Sequence, residues 1–216
     1  MNRISHFLLF AIFICMLSCQ KKDEIPPIIT LKGSDKVSLI LNSTYIDAGA
    51  TATDETDGNI TSKIFIESLV DVNKVGEYTI TYHVTDEAGN EAKPLTRLVS
   101  VYNQAEVFGD LYNVIETKVY PVYQLCEYTS LVTPDSTQNF GLNLSGFACN
   151  FGQRVFAQIN DTTVILPYQI LEDTLISFSI TGSGFINDSV IDITYKLTIN
   201  NSDEFWNAVL KRQNNE

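Results

Sequence analysis

The chain has 216 residues, 44% of them hydrophobic, and a formal net charge of −12 at pH 7, which suits two folded domains of ordinary size. Its 26 acidic side chains outnumber the 14 basic ones, and the basic residues form no cluster, so nucleic acid is not an expected partner. The same acidity would help to keep an exposed protein soluble.

Residues 1–18 have the order of a secretory signal peptide. Arg3 precedes an apolar run that begins at Phe7, and small or polar residues follow before Cys19. The apolar run is shorter than the roughly 20 residues that a membrane-spanning helix needs. We therefore expect this segment to be removed during export, leaving residues 19–27 as a tether ahead of the folded part.

A second motif lies at the end of this leader. Met16-Leu17-Ser18-Cys19 resembles the bacterial lipobox, whose cysteine is acylated and becomes the first residue of the mature protein. The resemblance implies a lipid anchor on Cys19 and hence attachment to a membrane. The following Gln20-Lys21-Lys22-Asp23-Glu24 resembles the charged motif that sends Bacteroidota lipoproteins to the cell surface, although it could also be a solvated tether. The predicted location is the outer membrane, with the protein facing the cell exterior.

An all-β fold is predicted beyond the tether, because β-branched runs, period-two alternation and turn residues dominate. Residues 28–103 have the strand spacing of an immunoglobulin-like β-sandwich. In Gly76 to Thr85, the side chains of Tyr78, Ile80 and Tyr82 should face the core, because strand residues alternate between faces. The predicted strands are Ile28 to Leu31, Val37 to Leu41, Thr44 to Tyr45, Ile64 to Glu67, Gly76 to Thr85 and Leu95 to Tyr102.

A second domain, an antiparallel β-meander closed or nearly closed as a barrel, is predicted over residues 105–216. The segment Asp203 to Arg212 has an acidic start and a basic end that would suit a helix, but it could also form a last edge strand. The other predicted strands are Leu111 to Val119, Val122 to Val132, Phe140 to Phe147, Arg154 to Ile159, Thr162 to Leu166, Leu175 to Thr181 and Val190 to Ile199.

Motifs in both halves resemble known families. In the first half they are Pro26-Pro27, Leu31-Lys32-Gly33, Tyr45 to Asp54, Asp57 to Ile60, Gly76 to Tyr82, Asp86, Gly89-Asn90 and Arg97. This set resembles the bacterial immunoglobulin-like domain of surface proteins and pesticidal crystal toxins, which is related to hyalin repeats. In the second half, Gly109 to Tyr112, Ile165 to Gln169, Ile180 to Gly184 and Ile193 to Tyr195 resemble the lipocalin-like C-terminal domains of small Bacteroidota surface lipoproteins. These resemblances imply a location and an architecture rather than a reaction.

No set of residues in the sequence predicts an enzyme. The expected mature chain has one histidine, His83, and a nucleophilic triad or a zinc site would need partners that the sequence does not mark. We therefore expect no catalytic residues and no cofactor. Cys126 and Cys149 remain once the signal peptide and the lipid site have used the other cysteines. In an oxidising compartment they form a candidate disulfide, and two buried thiols are the alternative.

Three sets of residues are candidates for surface sites. Asp54, Asp57 and Asp86 lie in turns of the first domain, where their oxygens could ligate calcium or cap the turns, but they match no calcium-binding motif. Trp206 and Tyr168 could stack on sugar rings or pack in the core. Four Asp-Ser/Thr-X tripeptides fit the pattern of Bacteroidota O-glycosylation and also suit turns; their hydroxyl residues are Ser136, Thr162, Thr174 and Ser189.

These features favour a non-enzymatic cell-surface lipoprotein that binds or presents a ligand. The sandwich would act as a spacer and the terminal β-domain as the binding module, with a glycan or a surface protein as the partner. The alternative is a structural or assembly component of the cell envelope that contacts other surface proteins. A hydrolase with an unrecognised pair of carboxylates is a third hypothesis.

Overall fold

A computed structural model describes residues 22–150, 152–172 and 177–213. The predicted lipidation site, Cys19, and one glycosylation candidate, Thr174, lie outside these ranges. Within them, the structure contains no helix that is long and apolar enough to cross a membrane.

The chain divides into two compact units, each made of several segments. Among the described residues, the first contains those up to Asp35, Asp47–Leu69 and Thr79–Arg97, and the second contains Lys36–Ile46, Val70–Tyr78 and the residues from Leu98 onward. The regular secondary structure of the described residues is nearly all β, with only short helical turns, which confirms the predicted fold class.

Two sheets form between Ile28 and Tyr102. In the first, β1 pairs with β3 and β3 pairs with β4, both antiparallel; these strands are Ile28–Leu31, Ala50–Asp54 and Gly58–Asn59. The second sheet has the order β2–β7–β6–β5, in which β2 runs parallel to β7; its strands are Lys36–Ile40, Leu95–Tyr102, Gly76–His83 and Phe65–Ser68. A short 3-10 helix, Thr61–Lys63, lies between β4 and β5.

Two features of these sheets differ from the sequence-based prediction. Thr44 and Tyr45 form no strand, because the chain turns after β2, where Asn42 adopts a φ of 65°. The prediction missed β3, whose inward residues, Ala50 and Ala52, are buried but give only a weak strand pattern because alanine is a poor strand former. The predicted alternation in β6 is confirmed at Ile80 and Tyr82, which are buried, and Tyr78 is half-buried, whereas the threonines between them are more exposed than Ile80 and Tyr82.

Eight antiparallel strands, β8 to β15, close into a barrel in which each strand neighbours the next and β15 pairs with β8. The predicted meander is therefore closed. The segment predicted as a helix or an edge strand is β15, and Trp206, Ala208 and Leu210 alternate into the barrel interior. The strands are Asp110–Tyr120, Gln124–Pro134, Gly141–Ser145, Arg154–Asn160, Thr163–Glu172, Ser177–Ile186, Val190–Ile199 and Ser202–Arg212.

Side chains fill the barrel interior, as expected for a barrel of eight strands. Its buried residues include the large rings of Tyr112, Tyr195 and Trp206. A single helical turn, α1 (Phe147–Asn150), adds Phe147, whose ring centre lies 4.9 Å from that of Tyr195. A second short 3-10 helix, Gln104–Phe108, precedes β8.

The close approach of β13 to β14 depends on glycine. A Cβ atom on Gly184 would overlap the backbone carbonyl of Asp192, which cannot move without disturbing the sheet. We expect Gly184→Ala to destabilise the barrel by about 1–3 kcal/mol, the usual cost of overpacking. Urea unfolding followed by the fluorescence of Trp206, the only tryptophan, measures this change.

The matched control is Ser183→Ala, a neighbouring exposed position on the same strand, which should change stability by no more than about 0.5 kcal/mol. Parental stability of the Gly184→Ala protein would contradict the prediction.

Candidate functional site

A cleft on the barrel surface has the mixture of groups that a polar ligand needs. Its volume is about 300 Å³. Ile170 supplies apolar surface, and Phe178 lies at the cleft although its side chain is buried in the barrel core. The remaining lining residues are an exposed tyrosine, three hydroxyl residues and two asparagines. They are Tyr168, Ser177, Ser179, Thr198, Asn200 and Asn201.

A bulge in β12 places Tyr168 at this cleft. The pairing of β12 with β13 shifts register between Leu166 and Gln169, so Pro167 and Tyr168 lie in the irregular segment. Proline has no amide hydrogen to give to a sheet, which makes a bulge its natural position. The Gln169 side chain then accepts from the amide of Phe156 at 2.9 Å and donates to its carbonyl at 2.7 Å. The bulge is thereby tied to β11, and the Tyr168 ring is 68% exposed.

The opposite wall of the cleft contains the tight turn between β14 and β15. Asn200 and Asn201 have φ values of 48° and 63°, and the pair Ile199–Ser202 closes the hairpin around them. Asparagine tolerates this left-handed backbone better than most residues do. Both asparagines are exposed, so the turn presents two amide groups beside the tyrosine ring.

Thr198 of the cleft lining is bonded to an ion pair between Asp203 and Lys196. The Thr198 hydroxyl donates to Asp203 Oδ1 at 2.7 Å, and Lys196 Nζ lies 3.4 Å from Asp203 Oδ2. The hydrogen bond from Thr198, with a smaller contribution from Lys196, lowers the pKa of Asp203. Asp203 is therefore ionised at neutral pH.

Trp206, the other candidate for sugar stacking, does not lie on the surface. It is 2% exposed, and its ring is parallel to that of Tyr195 at a centroid distance of 6.1 Å. Its Nε1 donates to Glu204 Oε2 at 3.1 Å, and Lys118 Nζ lies 5.4 Å from the ring centre. The hypothesis of a sugar platform at Trp206 is therefore wrong, because strand alternation turns this ring into the barrel.

The sequence analysis missed a buried carboxylate beside this ring. Glu116 is fully buried; its Oε1 accepts from the Tyr195 hydroxyl at 3.1 Å, and its Oε2 accepts from the amide of Cys149. Burial, followed by the nearby Glu116 carboxylate, raises the pKa of Tyr195 and Tyr128, so both remain neutral phenols at physiological pH. Strand alternation is the one sequence signal that indicates the burial of Glu116, because this residue shares the inward face of β8 with Tyr112 and Val114.

Cys126 and Cys149 are joined by a disulfide, with their Cα atoms 5.6 Å apart. The bond links β9 to α1, next to Glu116. Of the two alternatives that the sequence left open, the structure has the bridged pair.

The acidic turn residues of the first domain divide into two groups. Asp54 and Asp86 converge, and they do so with Asp23 of the tether. Asp57 points elsewhere: its Oδ2 accepts from the amide of Glu87 at 2.7 Å and lies 3.9 Å from Lys63 Nζ.

Three of the glycosylation candidates can be located. Ser136, Thr162 and Ser189 are exposed and follow or precede barrel strands in short turns. These positions are accessible to a modifying enzyme, and the modification itself stays a prediction.

Residues 29–101 match the family described as "Bacterial surface protein, Ig-like domain". These residues form an immunoglobulin-like domain. This result confirms the first of the two family resemblances at the level of the domain. No curated protein matches the chain.

Three solved structures share low overall similarity with the chain. The lipoprotein BT2262 from Bacteroides thetaiotaomicron is 17% identical, with 87% of this chain and 100% of that chain covered and a TM-score of 0.35. The CBM51-2 and INT domains of Clostridium perfringens ZmpB, in complex with GlcNAc, are 16% identical, with 88% of this chain and 44% of that chain covered and a TM-score of 0.29. The same domains without GlcNAc are 18% identical, with 87% of this chain and 44% of that chain covered and a TM-score of 0.28. This chain thus spans less than half of the ZmpB fragments, and the superpositions support no conclusion about function.

Proposed function

We propose that this protein is a non-enzymatic outer-membrane lipoprotein, exposed on the cell surface, whose barrel binds a carbohydrate in the cleft beside Tyr168. The Ig-like domain of the bacterial surface type and the lipobox-like motif at Cys19 support the location. The observation that carries the ligand class is an aromatic ring, 68% exposed, beside a turn that presents two asparagine amides.

The chemistry of the cleft suits a sugar ring. A pyranose has an apolar face that can lie on the Tyr168 ring and hydroxyl groups at its edge that both donate and accept hydrogen bonds. The amides of Asn200 and Asn201 and the hydroxyls of Ser177 and Thr198 offer donors and acceptors of both kinds. The described lining residues include no charged side chain. The expected ligands are therefore neutral sugars, whose hydroxyl groups match the amides and hydroxyls of the lining.

The same lining favours binding over catalysis. The described lining residues supply hydroxyl, amide and aromatic groups, whereas glycoside hydrolysis uses two opposed carboxyl groups at the bond that breaks. We therefore propose affinity without turnover.

Replacing Tyr168 tests this proposal. Tyr168→Ala should weaken binding of the best glycan by about tenfold or more, because the stacking contribution and the buried ring area together exceed about 1.4 kcal/mol. A glycan array identifies the ligand, and isothermal titration calorimetry with the parent and the variant gives the ratio of dissociation constants. Tyr123→Ala is a matched control, since Tyr123 is also 68% exposed but lies in the β8–β9 turn, away from the cleft lining. An array without any ligand, or equal affinities of parent and Tyr168→Ala, would refute the proposal.

A second candidate function is supported by the turn between β8 and β9. This turn and its flanking positions expose apolar side chains to an extent unusual for a monomer's surface: Val119, Tyr120, Val122, Tyr123 and Leu125 are each 51–68% exposed. Such a surface suits contact with a neighbouring envelope protein. In that case Tyr123→Ala should reduce copurification of the partner after crosslinking on native cells, and Tyr168→Ala should not. The two variants thus separate the two functions.

A further inference from the structure

Three carboxylates converge where the tether meets the Ig-like domain. Asp23 belongs to the tether, Asp54 ends β3 and Asp86 follows β6, and one carboxylate oxygen from each lies within 4.8 Å of those from the other two. All three belong to the first compact unit. Oxygens that bind one Ca²⁺ at 2.3–2.6 Å can be separated by up to about 5 Å, so this spacing fits ligands of a single ion.

Asp54 shows that the cluster is more than a group of surface acids. The residue is only 9% exposed, and its Oδ1 accepts from the amides of Thr56 and Asp57 at 2.8 and 2.9 Å. Its Oδ2 is also buried but has no hydrogen-bond partner among the described residues. A buried carboxylate oxygen without a donor is costly, and a bound cation is one of the few arrangements that would satisfy it.

No cation of the described chain offsets these charges by a direct ion pair. Lys63 lies 3.9 Å from Asp57 and 3.5 Å from Glu87, and within the described ranges no basic group pairs directly with Asp23, Asp54 or Asp86. Carboxylates this close repel one another. A bound divalent ion would attract each carboxylate and so offset their mutual repulsion.

Asn90 holds two of the three carboxylate segments in position. Its amide donates to Asp86 Oδ1 at 2.7 Å, and its Nδ2 lies 2.7 Å from Asp86 Oδ2 and 3.2 Å from the Asp23 carbonyl oxygen. Asn90 thus fixes both carboxylate oxygens of Asp86 and joins them to the backbone of the tether.

We propose that Asp23, Asp54 and Asp86 bind one Ca²⁺, which fastens the tether to the Ig-like domain. An all-oxygen donor set indicates a hard cation, and Ca²⁺ accepts the irregular, many-oxygen geometry that Mg²⁺ disfavours. Asp23 also lines a cleft of about 470 Å³, which contains the acidic Glu24 and Glu55 and the basic Lys22 and provides room for water and further oxygen ligands. The ion would set the direction in which the domain leaves its anchor.

Calcium titration of the protein without its leader tests the site. The protein is residues 19–216 with Cys19→Ser, stripped with EDTA and titrated with CaCl₂ by calorimetry. We expect one site with a Kd of about 0.1–1 mM, the range of extracellular modules, and at least tenfold weaker binding of Mg²⁺.

Asp54→Asn and Asp23→Asn should each weaken Ca²⁺ binding at least tenfold, whereas Asp35→Asn, an exposed acid of the same unit, should not. Absence of saturable binding up to 10-fold above this range, equal Mg²⁺ affinity, or a parental Kd in Asp54→Asn would overturn the proposal.

A second measurement separates metal binding from a turn-capping role of Asp54. Asparagine keeps an oxygen for the amides of Thr56 and Asp57 but removes the charge. In EDTA, Asp54→Asn should leave the Tm of the Ig-like domain unchanged or raise it, and in Ca²⁺ it should abolish the rise that the parent shows. If Asp54 only caps the turn, Asp54→Asn should shift the Tm by the same amount in EDTA and in Ca²⁺, and that result would overturn the proposal. Because Asp23 lies on the tether, Asp23→Asn provides the same comparison without risk to folding.

The third measurement follows the tether itself. Endoproteinase Lys-C cleaves after Lys22, next to Asp23, and mass spectrometry reports the rate. Ca²⁺ should slow this cleavage severalfold in the parent and in Asp35→Asn but not in Asp23→Asn. A rate unaffected by Ca²⁺ in the parent would show that no ion fastens the tether.

Discussion

Replacing Arg97 by methionine should destabilise the Ig-like domain by about 3–5 kcal/mol, enough to unfold a domain of ordinary stability or bring it close to unfolding. Arg97 is 1% exposed, and its guanidinium is the centre of a buried polar network. Nη1 donates to Asp47 and to the Tyr82 hydroxyl, and the Tyr82 hydroxyl in turn donates to Asp47 Oδ2 at 2.6 Å. Methionine would leave a carboxylate without its cation, which is the costliest way to break a buried pair.

Arg97 also donates to backbone carbonyls in two loops of the same compact unit. Its Nε donates to the carbonyl of Ser34 at 2.8 Å, and its Nη2 donates to the carbonyls of Lys32 and Gly49. These carbonyls lie after β1 and before β3, so one side chain holds the two loops together. Their loss adds to the cost, because buried carbonyls need partners.

Hydrogen exchange monitored by mass spectrometry measures the effect of Arg97→Met. Amides of β3 and β6 should lose most of their protection, while Trp206 fluorescence reports separately on the barrel. Arg154→Met, at an exposed arginine of β11, is the control and should leave all exchange rates within error. Parental protection of β6 in Arg97→Met would mean that the network contributes little.

The architecture could be predicted from local patterns, but the orientation of individual aromatic residues could not. Period-two alternation located most strands and the barrel, because that pattern follows from strand geometry alone. It could not rank Trp206 and Tyr168, since Phe205 and Trp206 are both aromatic and either could face outward. In the structure, alternation in β15 buries Trp206, whereas Tyr168 lies exposed in the bulge that also contains Pro167. A proline inside a predicted strand is the sequence signal for such a bulge.

The acidic cluster shows a different limit. Asp54 and Asp57 share one turn, so sequence proximity favoured them as joint ligands, yet Asp57 faces Lys63. The sequence around Asp23 indicates only a charged tether, because its neighbours Lys22 and Glu24 are charged. The pairing of β3 with β1 and the contact of Asn90 with the Asp23 carbonyl bring Asp23 beside Asp54 and Asp86, which lie far from it in the chain.

Removing the disulfide should lower the stability of the barrel by about 3 kcal/mol. The bond closes a loop with a sequence separation of 23, and its loss returns that loop's freedom to the unfolded chain. The bond also holds α1 in place, where the Cys149 amide donates to Glu116 and the Phe147 ring packs on Tyr195.

Urea unfolding of Cys126→Ser/Cys149→Ser, followed by Trp206 fluorescence, measures the loss, because the Trp206 ring stacks on Tyr195. The parent should move to the same midpoint in dithiothreitol, and the double variant should not respond to the reductant. Equal stability of the oxidised parent and the double variant would show that packing around Glu116, rather than the covalent bond, holds α1 against the barrel.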